Sequence, residues 1–320
     1  MNFSPILIVA GEPNSVFLEI FFKMLKSTKV NNPIIIIASE NILIKQMKKL
    51  NFKKKIKLLN FNNLNTKNLD NKSINLININ FNQKKAFERI SNKSNKYIEK
   101  SFQMAFSILK KKNIYKLING PISKKYFLNK KYLGVTEYIA NKFAVKENCM
   151  LIYNKKLSVS PVTTHLPVKQ IAKKISKKLI AQKVFLINNF YKKFLGINPK
   201  IAVLGLNPHC ESIEKFNEDE KIVKPIINKL SRSYKISGPY PADTIFMNNI
   251  RKNFDVIIGM YHDQVLTPIK TLYEYDAINI TLGLPFIRIS PDHGPNEKMM
   301  GKNTSNPLSL IQAIKFLDKH

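Results

Sequence analysis

Four of the five histidines in this chain lie in short polar loops that follow strand-like apolar runs. The loops are "VTTHLP" (162–167), "GLNPHCE" (205–211), "GMYHDQ" (259–264) and "SPDHG" (290–294); a fifth loop of the same kind, "NGPISK" (119–124), has no histidine. Neutral imidazole suits zinc and other borderline divalent metals, and three protein ligands leave positions open for a substrate. His165, His209 and His262 are therefore candidates for one metal centre. The plainer alternative is three ordinary loop histidines, and their wide separation in sequence does not decide between the two. Asp263, next to His262, is placed to orient a ligating imidazole or to accept a proton. Asp243, in "GPYPADTIF", is a candidate cap for a following helix. Lys270, Asn279 and Arg288 add cationic and polar groups near the end of the chain. Arg288 is bracketed by Phe286, Ile287 and Ile289. That setting points to a buried anion, a phosphate or carboxylate, unless the side chain simply faces solvent.

The elements that must position these residues alternate between strand and helix. "PILIVAG" precedes "SVFLEIFFKMLKS", and "PIIIIAS" precedes "NILIKQMKKL"; later "KIAVLGLN", "DVIIGMYHD" and "FIRISPDHG" each run into a loop named above. Such alternation predicts an α/β fold with mostly parallel strands, and in such folds ligands bind at the carboxyl ends of strands. A helical stretch is expected over roughly 168–195. The Asn/Lys-rich stretch at 51–75 reads as a weakly ordered surface insertion.

The chain has 320 residues and a formal net charge of +32, from 53 basic and 21 acidic residues. Only Arg89, Arg232, Arg251 and Arg288 among the basic residues are arginine, the residue best suited to bidentate base and phosphate recognition. Specific nucleic-acid binding is therefore not expected, although weak attachment to polyanions at low salt is. No apolar run approaches a membrane span. Cys149 and Cys210 are too few for a disulfide framework, and the opening residues read as a first strand rather than a signal peptide. A cytoplasmic protein is the expectation.

Taken in order, "GEP", "NGPISK", "VTTHLP", "GLNPH", "GPYPADTIF", "MYHDQ", "ITLGLPFIR" and "DHG" resemble the 4-hydroxythreonine-4-phosphate dehydrogenase family of vitamin B6 synthesis, from about Ile6 to Leu317. The resemblance implies a two-lobed α/β/α fold like that of isocitrate and isopropylmalate dehydrogenases, not a Rossmann domain. The lobes would be approximately 1–130 with 285–320, and 131–284, the latter carrying the metal and dimer contacts. It implies a homodimer with active sites at the interface. It also implies a divalent ion (zinc, magnesium, manganese or cobalt) on His165, His209 and His262, one of them from the partner subunit. Thr136, Lys270, Asn279 and Arg288 match substrate contacts, and His293 and Gly294 fall in a loop assigned to NAD or NADP. The implied reaction oxidises the 3-hydroxyl of 4-phosphooxy-L-threonine and then releases carbon dioxide, leaving 3-amino-2-oxopropyl phosphate. Asp243 and Asp263 are the candidates for proton transfer.

Four departures from the family pattern stand out. "NSVFLE" replaces a glycine-rich run after "GEP", so that loop must take another shape. Val135 in "GVTE" replaces a substrate-contacting histidine, which leaves room for a different substrate such as threonate or erythronate 4-phosphate. "PNEKMMGK" replaces the usual run after "DHG", putting Lys298 where an aspartate is usual; a lysine near the ribose would favour NADP. Val265 replaces a glycine beside the metal loop. A scaffold that has lost catalysis is the remaining alternative.

Overall fold

The computed structural model describes residues 4–66, 69–112, 114–128, 132, 134–213, 215–291 and 293–320. Asp292, in the "DHG" motif, lies outside them. The strands are β1 (Ile6–Val9), β2 (Ile34–Ala38), β3 (Ile56–Leu58), β4 (Ile74–Asn78), β5 (Lys116–Asn119), β6 (Cys149–Tyr153), β7 (Ser158–Thr163), β8 (Ile201–Leu204), β9 (Ile236–Tyr240), β10 (Val256–Tyr261), β11 (Ile278–Leu282) and β12 (Ile287–Pro291). The α-helices are α1 (Phe17–Ser27), α2 (Glu40–Lys49), α3 (Asn95–Lys111), α4 (Val135–Lys142), α5 (Ile171–Lys174), α6 (Lys177–Phe190), α7 (Lys224–Leu230), α8 (Asn248–Arg251), α9 (His262–Tyr273) and α10 (Leu308–Lys319). No helix is long and apolar enough to cross a membrane among the described residues.

Two compact units divide the chain: Met1–Ile139 with Pro285–His320, and Ala140–Leu284. In the first unit the strand order is β3-β4-β2-β1-β5-β12, and the neighbouring strands pair in parallel. Its central strands, "ILIV" and "IIIIA", are buried throughout, as expected of parallel strands covered on both faces. In the second unit the order is β11-β6-β7-β10-β8-β9. There β7, β10, β8 and β9 are parallel, while β6 runs against both its neighbours. The parallel strands bring the loops after β7, β8 and β10 to one end of the sheet.

Several local expectations need correction. The 51–75 stretch is not a loose insertion. It contains β3, which pairs with β4 as the edge of the first unit, and it buries Phe52 and Leu64. An edge strand has one open side, so its polar composition blunts the edge rather than signalling disorder. The helix expected over 168–195 is broken. Ile175 is extended, and the hydroxyl of Ser176 caps α6 by accepting from the Leu179 amide. Asp243 caps nothing: it lies in a turn, and the short α8 begins after Met247 without a side-chain cap.

Val265 does not crowd the metal loop. It is fully buried in the apolar cluster of the second unit, with Ala202, Leu204 and Ile257. It packs over Gly259, where an added Cβ would lie 2.5 Å from Val265 Cγ1. Gly259→Ala is therefore expected to destabilise the protein by about 1–3 kcal/mol through overpacking. Adding Val265→Ala should recover part of that loss. Urea denaturation midpoints of the two single variants and the double check this; additive losses would refute it.

Candidate active site

His165 follows β7 and His262 opens α9 directly after β10. The two strands are parallel neighbours, with Thr163 paired to Tyr261. Thr163 Oγ1 donates to the Met260 carbonyl at 2.7 Å, which pins the strand ends together. The imidazole rings stand 5.9 Å apart, tilted by 37°. Asp263 Oδ1 lies 2.6 Å from His262 Nδ1. With Nδ1 engaged by this carboxylate, Nε2 is the nitrogen left to bind a ligand. Two imidazoles side by side, one oriented by a carboxylate, fit a divalent metal in the chemistry of the donor set.

His209 follows β8, on the other side of β10. Among the described residues of one chain, no three His, Cys, Asp or Glu side chains form a group able to hold an ion. His209 sits in a tight turn. Its φ is 56° and that of Cys210 is 62°. Left-handed backbone costs a residue with a Cβ roughly 1–2 kcal/mol, so two in a row need external support. Asp219 supplies it. Its carboxylate is fully buried and accepts from Leu206 N at 2.7 Å, Asn207 N at 3.0 Å and Asn207 Nδ2 at 3.1 Å. Burial, and then the Asp219, Asp243 and Glu211 carboxylates, push the Cys210 thiol above its ordinary range. Asp243 thus acts electrostatically on this loop, and its own side chain is exposed.

Lys270 is eight residues beyond His262 on α9, so the two lie about 12 Å apart along the helix axis. Asn279 is on β11, opposite Ile152 of β6. Its Oδ1 is buried with no hydrogen-bond partner among the described residues, an acceptor that a ligand donor would satisfy.

Arg288 and Thr136 come together in the first unit. Arg288 is 2% exposed, and its Nη1 donates to Thr136 Oγ1 at 3.1 Å. Its Nε donates to Asn119 Oδ1 at 2.7 Å. Burial pushes the guanidinium down to about 10, against the opposing pull of Glu137, so it stays charged at neutral pH. It lines a cavity of about 450 Å³ with Lys124, Lys125, Val135, His293 and Gly294. A buried cation on a cavity wall beside two lysines suits an anionic group. The "GEP" loop nearby turns at Gly11 (φ 76°), and neither Asn14 nor Ser15 adopts positive φ. The loop is instead tied by Glu12, which accepts from the Asn14 amide and the Ser94 hydroxyl.

Asn119, Asp219 and Gln264 are polar residues to which the sequence assigned no role. Asn119 had a weak signal, as a polar residue closing a buried strand. Asp219 had none, since it sits in an ordinary acidic helix start, "NEDE".

A model of the family described as pyridoxal phosphate biosynthetic protein PdxA matches residues 29–317. A 4-hydroxythreonine-4-phosphate dehydrogenase from Sulfurihydrogenibium sp. is 38% identical over 319 residues, covering 97% of this chain and 96% of its own. The solved structure of a 4-hydroxythreonine-4-phosphate dehydrogenase from Burkholderia phymatum superposes with a TM-score of 0.80 at 26% identity, covering 100% of this chain and 98% of that one. A β-decarboxylating dehydrogenase from Thermococcus kodakarensis gives a TM-score of 0.52 at 10% identity, covering 98% and 82%. That last likeness is one of fold alone, and it agrees with the α/β fold expected of the chain.

Proposed function

From the premise that this chain belongs to the PdxA family of 4-hydroxythreonine-4-phosphate dehydrogenases, we infer that it carries out the reaction of vitamin B6 synthesis its sequence suggested. It is an NAD(P)-dependent oxidoreductase. The 3-hydroxyl of 4-phosphooxy-L-threonine is oxidised to a ketone, the hydride on C3 passing to the nicotinamide and the hydroxyl proton to a base. The resulting β-keto acid loses carbon dioxide to leave 3-amino-2-oxopropyl phosphate. A bound divalent ion supplies Lewis acidity and the nicotinamide supplies the redox chemistry.

The chain's own residues take the following parts in this reading. His165, His209 and His262 hold the ion (zinc, magnesium, manganese or cobalt), with one ligand contributed by a second copy of the chain in a homodimer. Asp263 keeps the His262 ring oriented. Asp243, exposed and solvent-facing, is the proton acceptor, with Asp263 second in line. Arg288 and Thr136 bind an anionic end of the substrate, and Lys270 and Asn279 bind further substrate oxygens. His293 and Gly294 lie against the dinucleotide. Lys298, exposed on the Glu297–Met299 turn, selects NADP over NAD. The geometric observation that carries the reading is the buried, charged Arg288 on the wall of a cavity that Lys124 and Lys125 also line.

Val135 lines that same cavity and supports one second reading. A wall that cannot accept a hydrogen bond from an ammonium leaves room for a substrate with a hydroxyl in its place, such as threonate or erythronate 4-phosphate. Turnover decides. Metal-reconstituted protein is offered NAD or NADP with each of the three compounds, and reduced nicotinamide is followed. The threonine compound is expected to be the best substrate, with a higher kcat/KM for NADP than for NAD. Turnover of the sugar-acid phosphates alone would establish the second reading. No turnover of any of them by metal-loaded protein would defeat both.

A further inference from the structure

The loop that carries His209 is framed by two side chains that take no part in the reading above. One is Asp219. Its carboxylate is enclosed, and both oxygens are committed: Oδ1 to Leu206 N, Oδ2 to Asn207 N and Asn207 Nδ2. Its own amide donates to Asn217 Oδ1 at 2.9 Å, which fixes the start of its helical turn. The three donors it satisfies belong to the residues immediately before Pro208 and His209. The other is Gln264, two residues beyond His262. Its Nε2 donates to the Gly205 carbonyl at 2.8 Å, and its Oε1 accepts from Met260 N at 2.7 Å. One amide group thus bridges the end of β8 to the end of β10. The fit leaves no slack at Gly205, where an added Cβ would lie 2.7 Å from Cys210 Sγ and 3.1 Å from Asp219 Oδ1.

These bonds brace a turn in which two adjacent residues, His209 and Cys210, are both left-handed. We propose that Asp219 is the positioning residue of His209, holding its loop in the ligating conformation before an ion arrives, and that Gln264 sets that loop against the strand bearing His262. The proposal rests on the reading of His209 as a metal ligand. It adds that the ligand is preorganised by a buried carboxylate 10 residues downstream (219 − 209) rather than drawn into place by the metal.

The test uses the full-length chain stripped of metal. Hydrogen exchange is measured across 201–211, and Mn²⁺ affinity by titration, for the parent, His209→Ala, Asp219→Asn and the double variant. Asp219→Asn turns an acceptor oxygen into an amide that faces N–H donors. It should speed exchange at Leu206 and Asn207 by at least about tenfold while leaving Ile201–Leu204 protected, and should weaken Mn²⁺ binding by about 10–100-fold. The double variant should bind Mn²⁺ no more weakly than His209→Ala alone. Parent-like exchange at Leu206 and Asn207, or losses that add in the double variant, would overturn the proposal. His209→Ala with parent-like Mn²⁺ affinity would instead strike at the ligand reading, and exchange still decides whether Asp219 holds the loop. Gln264→Ala covers the case in which Asp219→Asn does not fold. Faster exchange at Gly205–Asn207 with Mn²⁺ binding weakened at least threefold is expected, and parent-like values for both would overturn the proposal.

Discussion

Arg288→Lys is expected to lower kcat/KM for 4-phosphooxy-L-threonine by about 100-fold, with most of the change in KM. Arg288 makes charge-assisted bonds to Asn119 and Thr136 at 2.7 and 3.1 Å. Lysine keeps the charge but not the planar fork, so it cannot hold both partners and still face the cavity. Hydrogen bonds to charged groups contribute roughly 1.5–3 kcal/mol each, and a loss of ~3 kcal/mol corresponds to about two orders of magnitude. Steady-state kinetics, with inorganic phosphate as a competing anion, give the check; a parent-like KM in a folded Arg288→Lys protein would remove Arg288 from the substrate site. The pH dependence follows from burial. The guanidinium is pushed down to about 10 in the folded protein, so the cavity is cationic at neutral pH and loses its charge as pH rises through that value. Substrate KM should therefore climb towards pH 10. The folded state holds this proton less tightly than the unfolded chain. The charged Arg288 therefore detracts from stability below its folded pKa, and the penalty fades above it.

His262→Ala should cost about 1000-fold in turnover and remove tight metal binding. A Lewis-acid metal contributes several kcal/mol of charge stabilisation, and each 1.36 kcal/mol is a factor of ten in rate. Asp263→Asn should be milder, about 10–100-fold in metal affinity, because it disturbs only the 2.6 Å contact that orients the ring. The His262 and Asp263 side chains are 35% and 80% exposed, so neither loss should shift the thermal midpoint of the metal-free protein by more than a degree or two. Equilibrium dialysis of the variants against metal, read beside thermal melts of the metal-free proteins, separates the outcomes. An Asp263→Asn protein with parent-like affinity would show that the aspartate serves something other than His262.

How much of this could be read before the fold was known depended on whether the determinants were local. The runs "ILIV" and "IIIIA" are uniformly apolar because both faces of a central parallel strand are covered, so the sheet was legible. So was the placement of His165, His209 and His262 just after strands, because a strand and the loop that follows it are contiguous. Composition misled at 51–75, where lysine and asparagine mark an open sheet edge. It misled at Asp243 as well, since a residue that suits a helix cap was followed by a turn instead of a helix.

What the sequence by itself determined is the alternating α/β order, the family, and the residue types at each strand end. What only the tertiary structure decided is which of those residues meet. Arg288 reaches Asn119 and Thr136 across 169 and 152 positions of chain. Gln264 reaches Gly205 across 59, and Val265 turns into the core against Gly259. Strand periodicity fixes the face on which a side chain emerges, but not which strand will lie beside it. That is set by the packing order of the sheet, which brings β7, β10 and β8 together from distant parts of the chain.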